Sequence, residues 1–116
     1  MIVSPRKLVA FRLKDGRVPF DEWLCGLSDP RAAARILARL VRVRCGNLGD
    51  CQGVGDGVTE LRVDYGPGYR EYFGQQGPTV VVLLCGGDKR TQQRDIQVAK
   101  AYWHQFKKKS YENSEL

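Results

Sequence analysis

The stretch ELRVDYGPGYREYF, residues 60–73, contains two short alternating runs of polar and apolar side chains around a Gly-Pro-Gly segment at 66–68. Alternation with a period of two is typical of a strand with one buried face, and Gly-Pro-Gly favours a tight turn. We therefore predict a β-hairpin whose strands are 58–65 and 69–73. The hairpin brings Arg62 and Arg70 onto neighbouring strands, either as part of a solvated face or as a site for negative charge.

The segments around the hairpin predict an α+β fold in the order β-α-α-β-β-β-α, with helices packed on one small twisted antiparallel sheet. The continuous apolar run 79–85 is typical of a central strand that is buried on both faces. The glycine-rich segment 46–57 lacks a phosphate-loop motif and is predicted to be a surface loop. The remaining elements are a strand at 7–13, helices at 20–27, 30–45 and about 91–109, and a flexible tail at 110–116. The last helix is predicted to carry Ile96, Ala99, Trp103 and Phe106 along one apolar face. We expect one domain over residues 1–109.

The helix predicted at 30–45 has two contrasting faces, and Asp29 and Pro30 supply its N-cap and first helical residue. The side chains predicted to face the core are Ala33, Ile36, Leu37, Leu40 and Val41. Four arginines, Arg31, Arg35, Arg39 and Arg42, are expected on the opposite side. They form either a solvated face or a docking stripe for phosphates or an acidic partner.

The chain has 116 residues, with 19 lysines and arginines against 13 acids, a formal charge of +6 and a pI near 9.4. This balance is compatible with a polyanionic partner such as nucleic acid, an acidic protein or an anionic membrane surface. No apolar run is long enough to cross a bilayer, and the N-terminus lacks a signal-peptide pattern. We therefore expect a cytoplasmic protein that does not bind a membrane.

Histidine and cysteine are too sparse for the common metal and nucleophile motifs. The four cysteines form no C-x-x-C pair, which argues against a zinc ribbon or a redox motif, and Cys85 is predicted to lie in the core. His104 is the only histidine and lies far in sequence from any convincing nucleophile. We predict no metal and no cofactor, and an exposed His104.

Basic residues are expected at the same end of three adjacent strands. Arg62 and Arg70 lie in the hairpin, and GGDKR at 86–90 presents Lys89 and Arg90 where the last strand ends. Arginine can hold two phosphate oxygens at once, so the set can bind a phosphate. Alternatively, each arginine pairs locally with one of the acidic residues Glu60, Asp64 and Glu71.

Five ordered motifs over about residues 8–105 resemble the RelE/ParE superfamily of toxins, and most closely its HigB-like, phage-derived addiction module killer proteins. The motifs are GNLGD (46–50), GVTELR (57–62), GPGYREYF (66–73), LLCGGDKRTQ (83–92) and DIQVAKAYW (95–103). The resemblance implies a RelE-like fold whose open concave sheet face is basic. It also implies the toxin of a type II toxin–antitoxin module that cleaves messenger RNA on the ribosome without a metal.

The resemblance also implies roles for individual residues. Arg70 matches the arginine that contacts the scissile phosphate, Arg62 falls near a basic position, and Lys89 or Arg90 matches the basic residue after the last strand. Glu60 or Asp64 is the expected base, and Tyr72 is expected to stack on a nucleobase or donate a proton. The residues expected to bind RNA outside the catalytic set are Arg31, Arg35, Arg39 and Arg90.

Two departures from the family pattern bear on the chemistry. Glu71 stands where an aliphatic residue is expected, so we predict that it is exposed on the sheet or offsets the positive cluster. The chain also lacks the histidines that some HigB toxins use, so catalysis is expected to depend on electrostatics and alignment, with help from the ribosome.

The implied partners are messenger RNA, the ribosome and a helix-turn-helix antitoxin that covers the basic face. Direct DNA binding is expected only through the antitoxin complex. Two alternatives remain open, because one fold can support several functions. The chain is either a ParE-like inhibitor of DNA gyrase without nuclease activity, or an inactive relative that only binds RNA or its antitoxin.

Overall fold

The fold is taken from a computed structural model, which describes residues 5–114. In chain order its elements are β1 (Lys7–Ala10), α1 (Pro19–Cys25), α2 (Pro30–Arg44), β2 (Cys51–Gly55), β3 (Val58–Val63), β4 (Tyr69–Gln76), β5 (Val80–Asp88), a short 3-10 turn (Lys89–Thr91) and α3 (Gln92–Ser114). The α+β class is confirmed. Within the described residues, none of the helices is both long and apolar enough to cross a bilayer.

The strands form one mixed sheet in the order β1-β5-β4-β3-β2. The predicted hairpin is confirmed as β3 and β4, with Arg62 directly opposite Arg70. The prediction of a wholly antiparallel sheet is wrong, because β1 lies parallel to β5, with Leu8 opposite Val81. Period-two alternation marks a strand but does not encode the direction of its neighbour, so the sequence pattern did not reveal this pairing.

The glycine-rich segment supplies a further strand, β2, where a loop was predicted. Gly55 pairs with Val58 across a two-residue turn. Both turn residues have positive φ, 56° at Asp56 and 83° at Gly57. An Asp-Gly pair favours this turn because both residues tolerate the left-handed conformation. The Asp-Gly dipeptide was therefore the sequence signal for a second hairpin.

Helices cover both faces of the sheet, so the core has two parts. The first part lies under α1 and α2 and contains Phe20, Ala32, Ile36, Leu40, Val43, Leu61, Val63, Tyr69, Phe73, Val81 and Leu83. The second lies under α3 and contains Phe11, Val58, Tyr72, Val82, Leu84, Cys85, Ala99 and Trp103. Cys85 is a core residue as predicted, and its burial raises the pKa of its thiol to about 12.

Helix α2 is rotated relative to the prediction. Its N-cap is confirmed, since Asp29 Oδ1 accepts a hydrogen bond from the Arg31 amide at 2.9 Å. Leu37 and Val41, predicted to face the core, are 49% and 48% exposed. Ala32 and Val43 are completely buried instead, which turns the inner face away from both exposed residues.

Helix α3 presents the predicted apolar face to the sheet and extends to Ser114, five residues past the predicted end at 109. The part of the predicted flexible tail between 110 and 114 is therefore helical. The last two residues, 115 and 116, lie outside the described residues. His104 is exposed, as predicted.

Contact between α3 and the sheet requires a glycine at position 74. A Cβ atom built on Gly74 would lie 2.5 Å from the Trp103 indole ring, closer than real contacts allow. We expect Gly74→Ala to lower the free energy of unfolding by about 1–3 kcal/mol, because a large ring must shift in a packed core. Urea denaturation measures the effect. Gly53→Ala is the matched control, since its added Cβ meets no atom within 4 Å; equal stabilities of the two variants would contradict the prediction.

Candidate functional site

Two arginines lie side by side on the sheet face that α3 covers. In the register of the sheet, Arg62 of β3 lies directly opposite Arg70 of β4, and Arg70 lies opposite Gly87 of β5. The Arg62 side chain is 34% exposed and that of Arg70 is 13% exposed. Like charges directly opposite each other destabilise a sheet, so a negative group is expected nearby.

Glu60 is that negative group. It is completely buried, and its Oε1 lies 3.2 Å from Arg62 Nε and 3.8 Å from Arg70 Nε. Its Oε2 accepts hydrogen bonds from the Tyr72 hydroxyl at 3.2 Å and from Gln92 Nε2 at 2.8 Å. We call these five residues the Glu60 cluster. Two arginines around one carboxylate leave a net positive charge at a partly open position.

The arginines therefore do pair locally with Glu60, as one of the two interpretations predicted. The ion pairs do not remove the anion-binding capacity, because Nε is only one of the donors on each guanidinium group. The buried carboxylate holds both guanidinium groups in place. Glu60 itself has no exposed surface, and both of its carboxylate oxygens already accept hydrogen bonds.

Tyr72 is also completely buried, with its ring in the core under α3. Burial, and then the charge of Glu60, raise the pKa of the Tyr72 phenol. The phenol therefore stays protonated and donates its hydrogen bond to Glu60. In this conformation the ring offers no surface on which a nucleobase can stack.

The basic residues after β5 border the cluster. A Cβ built on Gly68 would lie 3.6 Å from Lys89 Cβ and 3.8 Å from Arg70 Nη1, so both side chains adjoin the same turn. Lys89 and Arg90 are both exposed. Arg90 Nη2 lies 3.1 Å from Asp88 Oδ2, and this hydrogen bond lowers the pKa of Asp88. Residues 89–94 line a cleft of about 490 Å³.

The α2 arginines lie in a different layer. Arg35 stacks over the Tyr65 ring at 4.6 Å, and Arg39 Nη2 donates to the Leu48 carbonyl oxygen at 3.0 Å. A groove of about 320 Å³ nevertheless connects this helix to the hairpin, and it is lined by Arg35, Ala38, Arg39, Arg42, Asp50, Arg62, Val63 and Asp64. Arg31 does not line it. Asp64 is exposed, so it is the accessible carboxylate of the two that were considered as base.

Glu71 is neither exposed nor part of the positive cluster, and both predictions for it are wrong. Strand alternation places its side chain on the face of α1 and α2, opposite to Arg70. It is completely buried, and neither carboxylate oxygen has a hydrogen-bond partner among the described residues. Burial raises the pKa of Glu71 to about 8, against a smaller lowering effect of Arg39.

Gln92 is the member of the cluster that the sequence analysis did not identify. It is the first residue of α3, and the chain passes from β5 into α3 through a single short turn. A short connection of this kind keeps the first helical turn beside the strands that it follows. The glutamine in KRTQ was therefore the available signal.

The described part of the chain contains no group of three or more histidine, cysteine or acidic side chains that could hold a metal ion. No protein-family model matches the sequence, and no solved structure matches it. The chain is 53% identical over 81 residues to an uncharacterized protein of Haemophilus influenzae. The alignment covers 70% of this chain and 82% of the relative. The chain therefore belongs to the same family as this Haemophilus protein.

Proposed function

We propose that the chain is the toxin of a type II toxin–antitoxin module, a HigB-like member of the RelE/ParE superfamily that cleaves messenger RNA on the ribosome. The observation that carries the proposal is that Arg62 and Arg70 lie side by side and both contact buried Glu60, while the Lys89 side chain adjoins Arg70 at Gly68. The order of two helices, a β-meander and a C-terminal helix is compatible with the RelE-like fold that the sequence motifs imply.

In the proposed reaction the ribose 2′-hydroxyl gives its proton to a base and attacks the adjacent phosphate, and the 5′-oxygen of the next nucleotide leaves and takes up a proton from water. The products are a 2′,3′-cyclic phosphate and a 5′-hydroxyl end. Arg70 and Arg62 bind the phosphate oxygens and stabilise the charge of the phosphorane, and Lys89 adds positive charge at the same edge. Glu60 positions the two arginines through its ion pairs, and Tyr72 and Gln92 hold Glu60.

Asp64 is the carboxylate that we assign as the candidate base, because it is exposed and lines the groove that Arg62 also lines. Glu60 would first have to break its contacts with Arg62, Tyr72 and Gln92 to reach a hydroxyl group. The groove continues from Arg62 to Arg35 and Arg39, which gives the RNA backbone a basic path away from the scissile phosphate. The activity would place the protein in the cytoplasm, with an antitoxin as its regulator.

A second candidate function is inhibition of DNA gyrase through protein contacts. The burial of both Tyr72 and Glu60 favours it, because a non-nuclease needs no accessible proton donor beside Arg70. Asp64 and Lys89 remain accessible, however, and the cleavage hypothesis therefore takes precedence.

Induced expression in bacteria without an antitoxin tests both functions. A nuclease stops translation within minutes and produces new 5′ ends inside translated codons, which sequencing of RNA 5′ ends detects. The new ends carry a 5′-hydroxyl group, so their ligation to an adaptor depends on prior phosphorylation. Intact transcripts together with DNA damage would support the gyrase inhibitor. Normal growth at high protein levels would contradict both functions.

A further inference from the structure

Helix α2 carries a second apolar face that points away from the core. Its members recur at the three- and four-residue spacing of a single helix face. They are Ala34, Leu37, Ala38, Val41 and, directly after the helix, Cys45. All five are exposed, and Leu37 and Val41 are large apolar residues that the fold leaves about half exposed. We call this set the outer stripe.

Positive charge borders the outer stripe. Helix α2 contains five arginines and no acidic residue. Helical spacing places Arg31, Arg35 and Arg42 along one side of the stripe and Arg44 along the other. An exposed apolar face of this kind, bordered by charges of one sign, is typical of a protein interaction surface.

The charges indicate which occupant fits. A second copy of the chain would bring α2 against α2 and set arginines against arginines, with no acid on the helix to offset them. A nucleic acid would engage the arginines but would leave Leu37 and Val41 without an apolar contact. A helix with apolar residues on one face and carboxylates beside them would satisfy both parts of the surface.

We propose that the outer stripe is the docking site for an acidic amphipathic helix of a partner protein. Apolar side chains of that helix pack against Leu37 and Val41, as in other helix-in-groove complexes. The small side chains of Ala34 and Ala38 let the two helix axes approach closely. Carboxylates of the partner pair with Arg31, Arg35 and Arg42. The inference does not depend on nuclease activity, because the Glu60 cluster lies on the opposite face of the sheet and neither Leu37 nor Val41 lines the groove proposed for RNA.

The probe for this site is a synthetic helical peptide of about 20 residues with leucines at i, i+3, i+4 and i+7 and glutamates beside them. Isothermal titration calorimetry measures its affinity for the full chain. We expect binding that weakens at least about tenfold for the double variant Leu37→Ser with Val41→Ser. A peptide of the same composition in scrambled order should also bind at least about tenfold more weakly.

The matched control is Gln97→Ser with Gln105→Ser, two exposed positions on α3, which should leave the affinity unchanged. Circular dichroism verifies that both double variants fold. Three results would overturn the proposal: equal binding of the two peptides, self-association of the chain that the outer-stripe variant abolishes, or RNA binding that this variant weakens about tenfold. The first would indicate attraction by charge alone, the second a docked copy of the chain, and the third a nucleic-acid surface.

Discussion

Replacing Arg70 by alanine is expected to reduce RNA cleavage about 100-fold or more and to relieve growth arrest. The expected loss follows from the removal of a preorganised cation at the phosphate. Arg70 lies between the Arg62 side chain, the Lys89 turn and buried Glu60, so no other side chain takes its place. The measurements are growth after induction and the yield of new RNA 5′ ends at equal protein levels.

Two further variants separate a catalytic defect from a folding defect. Arg70→Lys keeps the positive charge beside Glu60 and should fold, but a lysine cannot hold two phosphate oxygens in the arginine geometry. We expect Arg70→Lys to retain a few per cent of the cleavage. This reduction corresponds to the loss of about one charge-assisted hydrogen bond to the phosphate. Arg12→Ala removes an exposed arginine outside the cluster and should remain fully toxic. An Arg70→Ala variant that is as toxic as the parent chain would contradict the site.

The second large effect concerns Glu71 and the pH dependence of stability. The folded state raises the pKa of Glu71 from its ordinary value of 4.5 to about 8. A folded protein whose carboxyl has a raised pKa binds the proton more tightly than the unfolded chain does. The contribution of Glu71 to the free energy of unfolding is therefore most favourable below pH 4.5. This contribution is lost as the pH rises through 8. The full loss is roughly 3–5 kcal/mol.

Glu71→Gln removes the titration and keeps the shape of the side chain. Relative to this variant, the parent chain should lose roughly 3–5 kcal/mol of unfolding free energy between about pH 5 and pH 9. Glu71→Leu should be more stable than the parent chain at pH 8, because an apolar side chain replaces a carboxyl with no hydrogen-bond partner in the described structure. Urea denaturation at several pH values measures these differences.

Glu22→Gln provides the control, since Glu22 is exposed on α1 and its replacement should not change the pH profile. A Glu71→Gln variant with the same pH profile as the parent chain would show that Glu71 has found a charged partner. Arg39 is the candidate partner, because it is the cation whose charge acts on Glu71. In that case, Arg39→Gln should restore the pH dependence.

The hairpin and the long helices could be predicted because their signals are local. Alternation around 66–68 identified β3 and β4, and their pairing across a short turn placed Arg62 beside Arg70. The apolar face of α3 was equally clear from its periodicity. The sheet was harder to predict, since the parallel pairing of β1 and β5 joins segments that are distant in the sequence.

The candidate site could be predicted as a set of residues, but its internal arrangement could not. The burial of Glu60 and Tyr72 depends on α3, which lies on the same face of the sheet as both side chains. Gln92 joins the cluster because the turn after β5 directs α3 back over β3 and β4. The inner face of α2 was predicted wrongly for a related reason. A helix with two apolar stripes does not itself indicate which stripe packs against the sheet.

The sequence by itself determined which segments form the hairpin and the long helices, and which end of the sheet carries the basic residues. Those features depend on alternation, turn residues and helix periodicity over a few neighbouring residues. Only the tertiary structure decided that Glu60 is held between Arg62 and Arg70, that Glu71 is buried on the opposite face, and that Leu37 and Val41 face outward. The physical reason is that burial and pairing depend on which distant segment packs on each face.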